Sequence, residues 1–273
     1  MRRALGGVLV FAAAALALAF LLFPVVAIFA RVPPGRLVAQ LSNPVVTGAL
    51  RVSLETTLVA QVLVLLLGTP AAWLLASRRF RGRSLVVTLV ELPLVLPPAV
   101  AGIGLIAALG RFGLLGGTLD ALGVRLGLTQ AAVVLAVAFV SSPLYLRQAI
   151  ATFEAADPDL LAASRTLGAG PGRTFFRVVL PLARGGLAAG AALAFARGLG
   201  EFGATIMFAG NLQGVTQTLP LAIYSEFALN FDVTLAMSAL LVVVSLALLL
   251  ALKVTLAWQP SRPTSRFLFA PSS

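Results

Sequence analysis

Arg197 and Glu201 are the side chains best placed to do chemistry in this sequence. They stand four residues apart in an apolar stretch, a spacing that puts both on one face of a helix. A charge at a bilayer centre costs about 2.5 to 3.5 kcal/mol on insertion scales, so such a pair is either a structural ion pair that neutralises itself or part of a polar pathway. Both readings stay open. Thr205, one turn further on, adds a hydroxyl to the same candidate pathway.

Other chemistry is excluded by what the chain lacks. It has no His and no Cys, which removes thiolate catalysis, disulfides and any His- or Cys-ligated metal. Its single lysine, Lys253, is followed by Val254, whereas a P-loop needs GxxxxGK[ST] so that the lysine reaches the phosphates. The stretch GAGPGRT at Gly168 to Thr174 has neither that spacing nor a lysine. We expect no catalytic residue, no metal site and no bound cofactor; any ATP must sit on another chain.

The elements that position these residues are membrane spans. Hydrophobic residues make up 60% of the chain and charged residues 11%, far below the ~25% charged of soluble domains. Apolar runs near 5–30, 54–76, 85–109, 130–150, 185–206 and 233–252 are each long enough to cross a ~30 Å hydrocarbon core at about 1.5 Å per residue. The expected fold class is an all-α integral membrane protein with six transmembrane helices. The first run continues to Ala30, beyond a signal-peptide core, and is expected to be an uncleaved span.

Arginine placement orients the bundle. With the N-terminus cytoplasmic, the inner segments carry Arg78, Arg79, Arg81, Arg83, Arg147, Arg165, Arg173, Arg177, Arg184 and both termini's charges, and the outer ones only Arg31, Arg36, Arg51, Arg111 and Arg125. Both termini are expected inside. This bias accounts for the net charge of +11 without nucleic-acid binding. The chain divides into a span and linker (1–50), a five-span core (51–257) and a tail (258–273). The interrupted stretch 110–130 is expected at the outer surface. Glu55 is expected to pair with Arg51, and Glu91 to serve packing beside Pro93, Pro97 and Pro98, which should kink span three. Ser141, Ser142 and Pro143 suggest a bent span four.

A polar, Gly-punctuated insert lies on the inner side between spans four and five, AASRTLGAGPGRTFFRVVLP from Ala162 to Pro181. Asp157 and Pro158 should start a helix that runs to Leu167, with Gly168 in the left-handed position after it. Pro171 should open a second helix to Leu180, broken by Pro181. Leu160, Leu161, Ala163, Ser164 and Leu167 form an apolar-to-small face, either packed on the chain's own spans or offered to a partner.

Gly168, nine residues, Val178, one residue and Leu180-Pro181 resemble the EAA loop of permease subunits in bacterial ATP-binding-cassette importers. By that spacing the EAA positions are Ala162, Ala163 and Ser164, so Ala stands where the family has Glu; the literal string Glu154-Ala155-Ala156 is too far from Gly168. The strings ELPLVLPPAVAG (91–102), SSPLYLRQA (141–149), GEFGATIMFAGN (200–211) and TQTLPLAIY (216–224) are similar to molybdate permease subunits, with sulfate permeases the nearest competitors.

The resemblance implies a type I importer fold with a coupling helix inside an EAA loop at 159–181. Its ATPase-coupling residues would be Asp159, Ala162, Ala163, Ser164, Arg165, Thr166, Leu167, Gly168 and Ala169. It further implies a prokaryotic inner-membrane homodimer surrounded by lipid, two cytoplasmic ATPase subunits that bind ATP and Mg, and an extracytoplasmic oxyanion-binding protein. Molybdate or tungstate would be moved by alternating access. Two Glu201 carboxylates across the dimer axis would repel an oxyanion, so Arg197, backbone amides or Thr205 are the expected contacts. An ion-coupled carrier would need coupling residues that are not evident.

Overall fold

The computed structural model describes residues 2–257; the expected tail at 258–273 lies outside them. Among the described residues all regular structure is helical. The long helices are α1 (Arg2–Arg31), α3 (Pro44–Ser77), α7 (Gln130–Glu154), α10 (Leu180–Leu199) and α13 (Phe231–Ala257). Between them lie α2 (Pro34–Gln40), α4 (Arg83–Val95), α5 (Pro98–Leu109), α6 (Gly116–Ala121), α8 (Pro158–Thr166), α9 (Pro171–Thr174), α11 (Gly203–Ala209) and α12 (Leu219–Glu226). Among the described residues five helices are long and apolar enough to cross a membrane, and a sixth span follows if α4 and α5 count as one.

Local chemistry sets several of these limits. α3 begins well ahead of the apolar run expected at 54, because Asn43 Oδ1 accepts the Val45 amide at 2.9 Å and Pro44 occupies the first turn. α7 starts at the Thr129 cap and stays one helix through Pro143. Span three does break at its prolines. α4 and α5 meet at a bend of 114°. Pro97 and Pro98 remove the N–H groups that would bond the carbonyls of Pro93 and Leu94 in a continuous helix. The stretch 110–130 holds only the single short helix α6.

Span five departs from expectation at both ends. Pro181 does not break the helix that Pro171 opens: the segment Pro171–Leu199 is continuous. Phe175–Val179 widens to a π-helical turn, with the Leu180 amide bonding the Phe175 carbonyl, and this wider turn takes up the proline just after it. At the far end the helix stops at Leu199 instead of reaching 206. Glu201 therefore lies beyond the helix that carries Arg197, not on one face with it.

The core is built by α3, α7 and α10. α10 runs against α7 along a line of small residues: a Cβ on Gly190 would lie 2.9 Å from Gln148 Cβ, and one on Gly198 2.8 Å from Val137 Cγ1. Tyr145, 1% exposed, bonds Thr69 on α3 across 2.5 Å. By contrast α1 contributes no buried residue to its 23-residue apolar span. At one end of the bundle Val46 and Ala49 of α3 pack with Leu219, Val233 and Met237. At the other, Trp73 of α3 meets Phe153 of α7 and Phe175, while Arg83 pairs with Glu154 and donates to the Leu75 carbonyl.

Candidate coupling and pathway sites

α8 sits at the second of these ends. Asp157 caps it by accepting the Asp159 amide at 2.9 Å, with Pro158 in the first turn. Gly168 follows it at φ +77°, where the Ala169 amide bonds the Ser164 carbonyl (3.0 Å) and the Gly168 amide the Arg165 carbonyl (2.9 Å). This pair of reversed bonds satisfies the last carbonyls and requires the left-handed turn that glycine adopts without strain.

The expected apolar-to-small face is divided. Leu161 is half-buried against the core and Ser164 is 8% exposed, whereas Leu160, Ala163 and Leu167 point outward, Leu167 at 86% exposure. Asp159, Ala162, Arg165, Thr166 and Gly168 are exposed as well, and Ala169 is half-buried. Exposed Arg78, Arg79, Arg81, Arg173, Arg177 and Arg184 belong to the same end of the bundle. The literal Glu154-Ala155-Ala156 string closes α7, with Glu154 engaged by Arg83.

Arg197, Glu201 and Thr205 gather at the other end of the Pro171–Leu199 helix, remote from α8. Glu201 occupies the break between α10 and α11. Its Oε1 accepts the Ala204 amide at 2.8 Å, capping α11, and its Oε2 lies 2.7 Å from Arg197 Nη1 at an angle that makes an ion pair but no well-formed hydrogen bond. Glu201 is 1% exposed, while the Arg197 side chain is 34% exposed, so the pair shows only its cation to the surroundings. Thr205 is fully buried, and its Oγ1 makes no hydrogen bond among the described residues. Arg51 and Glu55 pair at 2.7 Å on the outside of α3, as expected. Glu91 reaches Arg147 of α7 at 3.7 Å, tying α4 to the bundle.

Two of the quoted strings meet in space. α11 of GEFGATIMFAGN lies against α5, the end of ELPLVLPPAVAG. A Cβ on Gly102 would come within 2.8 Å of the Ala204 carbonyl, and one on Gly203 within 2.7 Å of Pro98 Cβ. Small residues are needed at both because backbone meets backbone. TQTLPLAIY is held by Ser53 Oγ, which accepts the Leu219 amide at 2.7 Å. The sequence reading missed Thr174, which is 4% exposed and bonds Ser164 across 3.1 Å. Two hydroxyl residues flanking the glycine-rich turn were its only signal.

Comparison with known proteins agrees with this geometry. The chain is 46% identical over 226 residues to the molybdenum transport system permease protein ModB of Mycobacterium tuberculosis, covering 83% of this chain and 86% of that one. It is 43% identical over 178 residues to the protein of the same name from Escherichia coli K12, covering 65% and 78%. Among solved structures, a bacterial ABC transporter that imports alginate aligns over 95% of this chain and 97% of its own with a TM-score of 0.72 at 16% identity. The inward-facing MetNI methionine ABC transporter aligns over 78% and 95% with a TM-score of 0.61 at 21% identity. These last two show the fold, that of ABC importer permeases. Residues 66–262 match the family described as binding-protein-dependent transport system inner membrane component, and the chain, a multi-pass inner-membrane permease subunit, belongs to that family.

Proposed function

We propose that this chain is the membrane-embedded subunit of an ATP-driven importer for molybdate, with tungstate as a near-equivalent substrate. The reading is carried by the continuous helix from Pro171 to Leu199, which joins a capped, outward-facing α8 at the arginine-rich end to a buried ion pair at the other. The substrate follows from the names of the relatives. Two copies of the chain enclose the path, and α8 and both termini face the cytoplasm, where an ATPase dimer binds ATP and Mg. An extracytoplasmic oxyanion-binding protein delivers the substrate. No group of this chain performs catalysis. Leu160, Ala163 and Leu167 seat α8 in the ATPase. Arg197, the exposed member of the pair, contacts the oxyanion in transit, and Glu201, competing for the same guanidinium, keeps that contact weak enough for release; Thr205, fully buried, is kept from that surface.

The deciding experiment reconstitutes the chain with its ATPase and binding protein in liposomes and follows oxyanion uptake. ATP-dependent molybdate uptake is expected, with tungstate competing and sulfate excluded. Preferential sulfate uptake overturns the substrate, and uptake by this chain alone under an ion gradient overturns the importer. Gly168→Asp, which places a side chain at φ +77° on the exposed turn, is expected to insert normally in the membrane yet lose ATP-dependent uptake.

A further inference from the structure

We infer that the Ser164–Thr174 hydroxyl pair is the positioning contact that carries movement of α8 into the Pro171–Leu199 helix, an inference that rests on the importer reading above. Both residues are more than nine-tenths buried, at 8% and 4% exposure, and their oxygens lie 3.1 Å apart. Ser164 Oγ also donates to the Leu161 carbonyl at 2.9 Å. A serine has one hydroxyl proton, so Thr174 donates the proton of the pair.

α8 is held to the bundle at few points. Leu161 and Ser164, one turn apart, are its inward residues, and most of the others are exposed. An apolar contact such as that of Leu161 tolerates sliding, whereas a hydrogen bond fixes both a distance and a direction. The covalent route between the two helices passes Gly168 and Gly170, whose backbones resist rotation least. The chain itself is therefore the compliant link, and the hydroxyl pair is the stiff one.

Thr174 is also where a stiff link is useful. It is the last residue before the π-helical turn at Phe175–Val179. Phe175, next to it, packs at a tilt on Trp73 of α3 with ring centres 5.4 Å apart and lies 6.2 Å from Phe153 of α7. A displacement of α8 delivered at Thr174 thus enters a helix about 40 Å long at the point where its hydrogen-bond pattern already shifts. The far end of that helix is Arg197 to Leu199, beside the buried carboxylate.

The test uses the full complex in lipid nanodiscs and reads ATP hydrolysis without and with the molybdate-loaded binding protein, together with co-purification of the ATPase. Thr174→Val keeps the volume and removes the hydroxyl. The expected result is an approximately five-fold fall in stimulation, the scale of one lost hydrogen bond, with basal hydrolysis and co-purification unchanged. Thr174→Ser is expected to restore stimulation. Undiminished stimulation in Thr174→Val overturns the inference, as does a Thr174→Ser variant equally impaired, which would assign the effect to methyl packing. If Thr174→Val fails to accumulate, Thr174→Ala, which also lacks the hydroxyl, decides in the same assay by the same criterion. A wild-type complex that the loaded binding protein does not stimulate removes the importer reading and this inference together; a normal wild type with an unaffected variant removes the inference alone.

Discussion

Two arginine–glutamate pairs in this chain share a four-residue spacing and a 2.7 Å separation, and differ in everything else. Arg51 and Glu55 lie along the outside of α3, with side chains 77% and 46% exposed. Arg197 and Glu201 bracket the end of α10, with 34% and 1% exposed. The first pair is two neighbours on one helix surface. The second includes a carboxylate that has left the helix, gone inside and taken on a further task, capping α11 through the Ala204 amide. Spacing fixes whether two charges meet; the break in the backbone fixes whether their meeting matters.

Substitutions at the two pairs sharpen the contrast. Glu201→Ala has the largest expected effect. It removes the cap of α11, and leaving the buried Ala204 amide without its acceptor costs about 1 to 3 kcal/mol. A lowered melting temperature of the purified protein in detergent, with uptake lost, is the expected outcome; an unchanged melting curve would refute the assignment of Glu201 as a structural keystone. Glu201→Gln comes next. Its amide oxygen can still accept the Ala204 amide, so the protein is expected to fold, while the uncompensated guanidinium should hold the oxyanion longer. The measurement is initial molybdate uptake at saturating binding protein, expected to fall several-fold without loss of assembly. Glu55→Gln should change neither melting nor uptake measurably, because exposed pairs contribute little. A Glu55→Gln defect matching that of Glu201→Gln would erase the distinction between the two pairs.

The legible parts of the fold are those decided locally. Asp157 and Pro158 announced the start of α8, and Gly168 its end, because capping chemistry needs only a few neighbouring residues. The three prolines of span three foretold its break for the same reason. Pro181 misled, since a proline stops a helix only if the preceding turn cannot widen, and Phe175–Val179 does widen. Hydropathy also overran the end of span five: Phe202 to Met207 are apolar enough to extend the run, but Glu201 finds a partner on each side and turns the chain there. Apolarity alone could not rank the spans either. α1 is among the most hydrophobic and buries nothing in its window, whereas α7 is less hydrophobic and buries 56% of its own. Hydropathy records how well a helix suits hydrocarbon, and the helices that hold the site face one another instead. The Ser164–Thr174 contact was illegible because it depends on how a flexible turn folds back.

Hydrocarbon cannot bond a bare peptide carbonyl, so the elbow at Leu96 and Pro97 is unsuited to lie against lipid tails. α4 has 13 residues and α5 has 12, so each limb is only about 20 Å long and too short to cross a ~30 Å apolar layer alone. With both limbs in that layer the corner falls inside its depth, and no residue of α4 is fully buried by the rest of the chain. Moisture or a neighbouring polypeptide has to satisfy those oxygens, so this V-shaped limb cannot stand bare against the oily wall.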